Sequence, residues 1–190
     1  MPTTFTNQAT LSYNNQSIPS NVVTGVLTEV LSVSKTAIPA AYQNGDTITY
    51  AVQLVNSGTA ALTGLTLTDN LGAYTPAAGT AAVVPMTYQS DTLRYYRNGI
   101  LQATPTIAAT SPLTVTGLSI PAGGNTTLMY AVKTNQFTPY GAEESVTNTA
   151  TVTGGGLAAP LTAEATVNAD PAPDLSVIKS MLSLIHISEP

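Results

Sequence analysis

Three observations place this chain in the all-β class, as an immunoglobulin-like antiparallel β-sandwich. Apolar residues recur with a period of two, as in "DTITYAVQLVN", where Ile48, Tyr50, Val52 and Leu54 share one face. Thirteen Pro and fourteen Gly divide the 190 residues into short pieces, with turn signals every 8–12 residues or so, the spacing of a sandwich. Only 8% of residues are charged, against roughly 25% in an average soluble domain. Thr, Ala, Val, Ser, Asn and Gly take their place, a palette that suits strands with small hydroxylated outer faces better than helices.

Two internal echoes define the organisation. "LSVSKTA" at 31 returns as "LSVIKS" at 175, and "FTNQATLS" at 5 returns as "VTNTATVT" at 146. The order is end of repeat, start, end, start, which is the signature of a tandem array. Residues 1–30 are then the closing strands of a partial repeat, and 31–169 one complete sandwich. Residues 170–181 are a Pro- and Asp-containing linker with the start of a next repeat. The last nine residues, "LSLIHISEP", resemble read-through translation of a sequencing-library adapter, so 182–190 are set aside from fold reasoning.

Within 31–169 each element has its own signal. "LSVSK" opens with Leu31, Val33 and Lys35 in one phase. "SGTA" turns the chain after Leu54, and "LTGLTLTDN" alternates Leu65, Leu67 and Asp69. "RYYRNGILQ" carries Asn98-Gly99, a strong hairpin signal. Two strands flank the Pro-Ala-Gly-Gly turn of "PLTVTGLSIPAGGNTTLMYAV", and "SVTNTATVT" and "APLTAEATVNA" close the unit. The glycines of "TGGGLAAP" read as the turn between that last pair.

The inventory excludes several functions. A net charge of −5 argues against nucleic acid and anionic membrane as partners, since both call for a basic stripe. No run is long and apolar enough to span a bilayer. There is no cysteine, hence no disulfide framework, thiol nucleophile or thiolate metal site. His186, the only histidine, lies in the set-aside tail, which removes histidine-based catalysis and zinc sites. "TGGGLAAP" lacks the Lys of a phosphate loop. Asp170 and Asp174 are too few for a calcium site of six to eight oxygens. No cofactor is expected. "MPTTFTNQATLSYNN" has neither the basic nor the apolar region of a secretory signal, so the export route is open.

Most of 31–169 resembles the DUF11 repeat of bacterial and archaeal surface proteins. The resemblance is carried by Lys35-Thr36, Gly45-Asp46, Asn56-Ser57-Gly58, Thr68-Asp69 and Asn148-Thr149-Ala150. It implies an immunoglobulin-like sandwich in stalk-forming arrays at the cell surface, without catalytic activity. An insertion around 72–112 departs from the family pattern. The expected function is therefore a non-enzymatic structural module of a surface-displayed stalk or appendage. The alternative is a carbohydrate-binding β-sandwich adhesin, for which Tyr88, Tyr95 and Tyr96 are the candidate sugar contacts. Tyr95 and Tyr96 are adjacent, so they face opposite sides of a strand. Residues 1–30 have two destinations: an edge of the 31–169 sandwich, or strand addition into another copy or another surface protein.

Lys35, Asp69 and Asn148 form the one constellation that invites chemistry. Each shares its phase with apolar neighbours, and each residue type is depleted in strand interiors. If they meet in the core, the Lys35 amine can condense with the Asn148 carboxamide into an isopeptide bond. Burial would lower the lysine pKa, giving a neutral nucleophile, and raise that of the aspartate, giving an acid that polarises the amide. By analogy with disulfides, closing a loop on the order of 100 residues contributes about 4–5 kcal/mol. The alternative is a buried, unbonded Lys–Asp pair hydrogen-bonded to Asn148.

Overall fold

Period-two alternation becomes strand after strand, with no helix among the described residues. The computed structural model describes residues 3–27, 30–77, 79–141 and 143–170. The sequence expectations for Asp174, for most of the linker and for the tail lie outside them.

The N-terminal segment forms a two-stranded ribbon. Strand β1 (Thr3–Asn7) pairs with β4 (Val23–Leu27), and β2 (Thr10–Tyr13) with β3 (Gln16–Pro19). Between the two ladders Ser20 brackets Ala9: its N–H donates to the Ala9 carbonyl at 2.7 Å, and its Oγ accepts the Ala9 N–H at 3.0 Å. Neither ladder joins a sheet of the sandwich. The expectation that residues 1–30 extend an edge of the 31–169 sandwich is therefore corrected. The segment's backbone groups are spent on its own hairpin, and its apolar face stays open, with Phe5 59% and Leu11 69% exposed.

From Leu31 onward two sheets face each other. One contains β5 (Leu31–Ile38), β7 (Thr47–Asn56), β9 (Met86–Tyr88), β10 (Arg94–Arg97), β11 (Ile100–Leu101) and β14 (Asn125–Thr134). Its order is β11-β10-β14-β7-β5, with β9 also paired to β14. The other contains β6 (Ala41–Tyr42), β8 (Leu62–Asp69), β12 (Thr106–Thr110), β13 (Leu113–Ile120), β15 (Ser145–Gly154) and β16 (Leu161–Ala169). Its order is β12-β13-β8-β15-β16-β6. Every ladder is antiparallel except the short β16–β6 pair. This is the immunoglobulin-like sandwich expected, and the first strand, β5, lies against the last, β16.

The core is the meeting of the inward phases. Ile48, Tyr50, Val52 and Leu54 from β7 and Leu128, Tyr130 and Val132 from β14 meet Leu65 and Leu67 from β8, Val115 from β13 and Val152 from β15. Each fully buried Leu, Ile or Val contributes roughly 1.5–3 kcal/mol relative to exposure. The segment 72–112 adds β9, β10 and β11 to one sheet and β12 to the other, so it broadens both layers, and it sends Met86, Tyr88, Leu93 and Tyr95 into the core between them. At its tip Asn98 and Gly99 take φ values of 47° and 77°, the left-handed pair of a tight hairpin turn.

Because the ribbon shares no ladder with the sandwich, deleting residues 1–27 should leave the unfolding midpoint of the remainder in denaturant unchanged. A marked fall in that midpoint would mean that the ribbon is part of the folded unit.

Candidate functional site

Three strands deliver the three polar side chains to one place. Lys35 lies in β5, one turn of the pleat beyond inward-facing Leu31 and Val33, and its alkyl stem is buried with them. Asp69 ends β8, in register with Leu113 of β13 and Ala150 of β15. Asn148 sits in mid-β15, two residues before Ala150 and on the same face. Asp69 and Asn148 are wholly buried.

The Lys35 Nζ donates to Asp69 Oδ2 at 2.5 Å, and neither side chain is exposed. The Tyr130 hydroxyl donates to the same oxygen. Asp69 Oδ1 accepts the Leu71 N–H at 2.9 Å. The ammonium also stands 4.6 Å from the centre of the Tyr50 ring, a distance at which the ring quadrupole attracts a cation. Tyr50 and Tyr130 lean together with ring centroids 6.0 Å apart. The aspartate thus meets donors on both oxygens, as an ion pair removed from water requires.

Burial and charge pull the lysine in opposite directions. Desolvation is the larger effect and lowers its pKa to about 8, although Asp69 by charge and hydrogen bond, and Glu164 by charge, act to raise it. Burial pushes both tyrosine hydroxyls above their usual range; the neighbouring Asn148 carboxamide acts the other way on Tyr50, and the charge of Asp69 adds to the rise in both. Tyr50 and Tyr130 therefore remain hydroxyls throughout the range in which Lys35 titrates.

Asn148 is held by one end. Its Oδ1 accepts the Gly72 N–H at 3.2 Å, whereas its buried Nδ2 has no hydrogen-bond partner. The Tyr50 side chain borders the carboxamide, but its hydroxyl donates to the Met86 sulfur at 3.5 Å. No bond joins Asp69 to the Asn148 carbonyl. The expectation that the aspartate polarises the amide gives way to an arrangement in which a backbone N–H does so.

That N–H is placed by the turn after β8. Leu71 and Gly72 take φ values of 54° and 73°, a conformation costly for leucine, and the buried Leu71 side chain anchors it. Asn70 Oδ1 accepts the N–H groups of Gly72 at 2.9 Å and Thr149 at 3.0 Å, which ties the turn to β15. A side chain at position 72 would not fit, since a Cβ there would lie 2.4 Å from Val146 Cγ1 and 2.8 Å from Met86 Cε. Tyr130, Leu71 and Gly72 were absent from the sequence-based set. Tyr130 shares the phase of Leu128 and Val132, and "DNLG" is a turn signal through Asp and Asn, so both had a readable signature.

The tyrosine candidates do not form a platform. Tyr88 and Tyr95 are buried in the core, the latter donating to the Ser119 carbonyl at 3.0 Å, and only Tyr96 is half-exposed. Period-two packing turns the first two inward, leaving too little flat aromatic surface for a sugar to stack upon. Among the described residues no cluster of three acidic or metal-binding side chains exists.

No family model matches the chain, and no curated protein matches it. Solved structures match in fold. A variant of BcpA, the major pilin subunit of Bacillus cereus, is similar at 13% identity and a TM-score of 0.51, over 87% of this chain and 48% of that one. The full-length major pilin RrgB of Streptococcus pneumoniae is similar at 10% identity and a TM-score of 0.52, over 68% and 24%. The N-terminal domain of the Streptococcus gordonii adhesin Sgo0707 gives 16% and 0.51, over 78% and 35%. The chain thus spans less than half the length of each of these proteins.

Asp69→Ala should destabilise the protein by about 3–5 kcal/mol in denaturant titration, the usual cost of stranding a buried partner charge. Gly72→Ala should cost at least ~2 kcal/mol, combining roughly 1–3 for overpacking with about 1 for a left-handed alanine.

Proposed function

We propose that the chain is a non-enzymatic structural module, one sandwich in an array that builds a surface-displayed stalk or appendage. The observation that carries this reading is a tandem echo around a sandwich whose one polar constellation is sealed in the core. Lys35, Asp69 and Asn148 are at most 7% exposed, so they cannot act on a substrate arriving from outside. What a sealed constellation can influence is the strength of its own fold. The resemblance to the DUF11 repeat supports the same assignment, and the fold likeness to pilin and adhesin domains is in keeping with it.

The N-terminal ribbon fits this reading as the closing hairpin of a preceding sandwich. In the complete unit the equivalent β15–β16 hairpin is flanked by β8 and covered by the opposite sheet. The exposed Phe5, Leu11 and Ile18 are the side chains that such a front half would cover. A lone two-stranded hairpin is marginal in water, which gives the ribbon reason to find that partner.

Electron microscopy of the product of the whole gene should show a linear string of sandwich-sized beads, and proteases applied to intact cells should remove it. A glycan array should show no saturable binding. Saturable binding competed by free sugar would replace this reading with that of a carbohydrate-binding adhesin.

A further inference from the structure

We propose that Lys35 and Asn148 are the two ends of an intramolecular amide bond, formed by the folded protein itself, with Asp69 as the proton carrier and the Gly72 N–H as the group that polarises the reacting carbonyl. The proposal concerns the chemistry inside one sandwich and holds or fails wherever the module is displayed.

Four features point to it. The Asn148 carboxamide is bound at its oxygen by the Gly72 N–H, and its buried nitrogen makes no hydrogen bond of ordinary geometry, having only the Tyr50 hydroxyl beside it. A buried amide serving only as structure would be expected to satisfy both ends. An amide about to lose its nitrogen needs the oxygen held, as an oxyanion-type donor holds it, and the nitrogen unencumbered. Second, Asp69 Oδ2 touches the lysine Nζ directly, so it is placed to take the proton that makes the amine nucleophilic. Third, burial favours the neutral amine and outweighs Asp69 and Glu164, whose charges favour the ammonium. Tyr50 and Tyr130 stay uncharged and exclude water, Asp69 supplies the base, and Glu164 acts only by its charge from the exposed face of β16. The net effect leaves the lysine pKa near 8, within reach of neutral pH.

The fourth feature comes from the echoes. Lys179 stands in "LSVIKS" where Lys35 stands in "LSVSKT", and Asn7 stands in "FTNQATLS" where Asn148 stands in "VTNTATVT". Their neighbours change: Ser34 corresponds to Ile178, Val146 to Phe5, Thr149 to Gln8. Both partial repeats keep the residue the bond would need from them.

The step balances without a co-reactant. The Lys35 ammonium passes a proton to Asp69, and the amine attacks Cγ of Asn148. The carbonyl oxygen takes up negative charge against the Gly72 N–H. The Cγ–Nδ2 bond breaks as Asp69 gives that proton to the departing nitrogen and takes up the second proton that Nζ must shed, which leaves Asp69 protonated. The tetrahedral centre collapses to an Nζ–Cγ amide, and one ammonia leaves.

Intact-mass spectrometry of the folded full chain tests the proposal. The expected mass is lower than calculated by one ammonia, and the deficit persists in denaturant. Digestion should give one joined peptide containing both Lys35 and Asn148. Lys35→Arg keeps a cation for Asp69 but offers no reactive amine, and it should restore the full calculated mass. Folded wild-type protein at full mass, or two separate linear peptides after digestion, overturns the proposal. So does a deficit that survives Lys35→Arg. The digest needs no variant, so it decides the matter even if Lys35→Arg does not fold.

Discussion

The structure is organised around keeping one lysine ammonium, with its aspartate, out of water. An isolated ion of this kind costs several kcal/mol to bury, and its counter-ion offsets that cost only when the remaining lone pairs and protons find partners. The surroundings of Asp69 follow from this requirement. Tyr130 supplies a hydroxyl to the oxygen that meets the lysine, the Leu71 N–H caps the other oxygen, and the Tyr50 ring faces the ammonium. The left-handed turn through Leu71 and Gly72, costly on its own, is the geometry that brings those backbone donors inward. A core of Leu and Val alone would have needed none of these devices.

Much of this was legible in the sequence because sandwiches are written in period two. Once Ile48, Tyr50, Val52 and Leu54 define an inward phase, the same rule sends Lys35, Asp69 and Asn148 inward. The hairpin at Asn98-Gly99 is equally local, since only a few residue pairs tolerate two consecutive positive φ values. What escaped were features set by tertiary approach. The direction from which the Asn148 oxygen is bound depends on how the turn after β8 meets β15, through Asn70 and Thr149. The orientation of the tyrosines was not legible for a related reason. Tyr88 and Tyr95 lie in the segment 72–112, where no repeat echo shows which phase faces the core. For residues 1–30, pairing with an existing edge and pairing within the segment use the same alternating pattern, so composition could not choose between them.

The solved structures that share this fold are less than a fifth identical to it and much longer. Such likeness is what a sandwich permits. Its inward positions ask for volume and phase, and many side chains satisfy both. The sealed cluster is the part of the core that asks for more, because each polar group there must meet a particular partner. It is therefore the part in which this chain says something about itself beyond its architecture.

The placement of β5 against β16 has a mechanical meaning. In the array proposed above, tension would enter this unit near Leu31 and leave near Ala169, and these strands already touch across the sandwich. With Lys35 bonded to Asn148, force would pass by a short bridge from the first strand to the closing hairpin, and the chain between them, from β7 to β14, would hang beside it like a loop of slack rope. Segments outside a load path can lengthen without weakening it. The hairpin tip at Asn98-Gly99 lies in that slack, where the module can vary its outline while its tensile route stays the same.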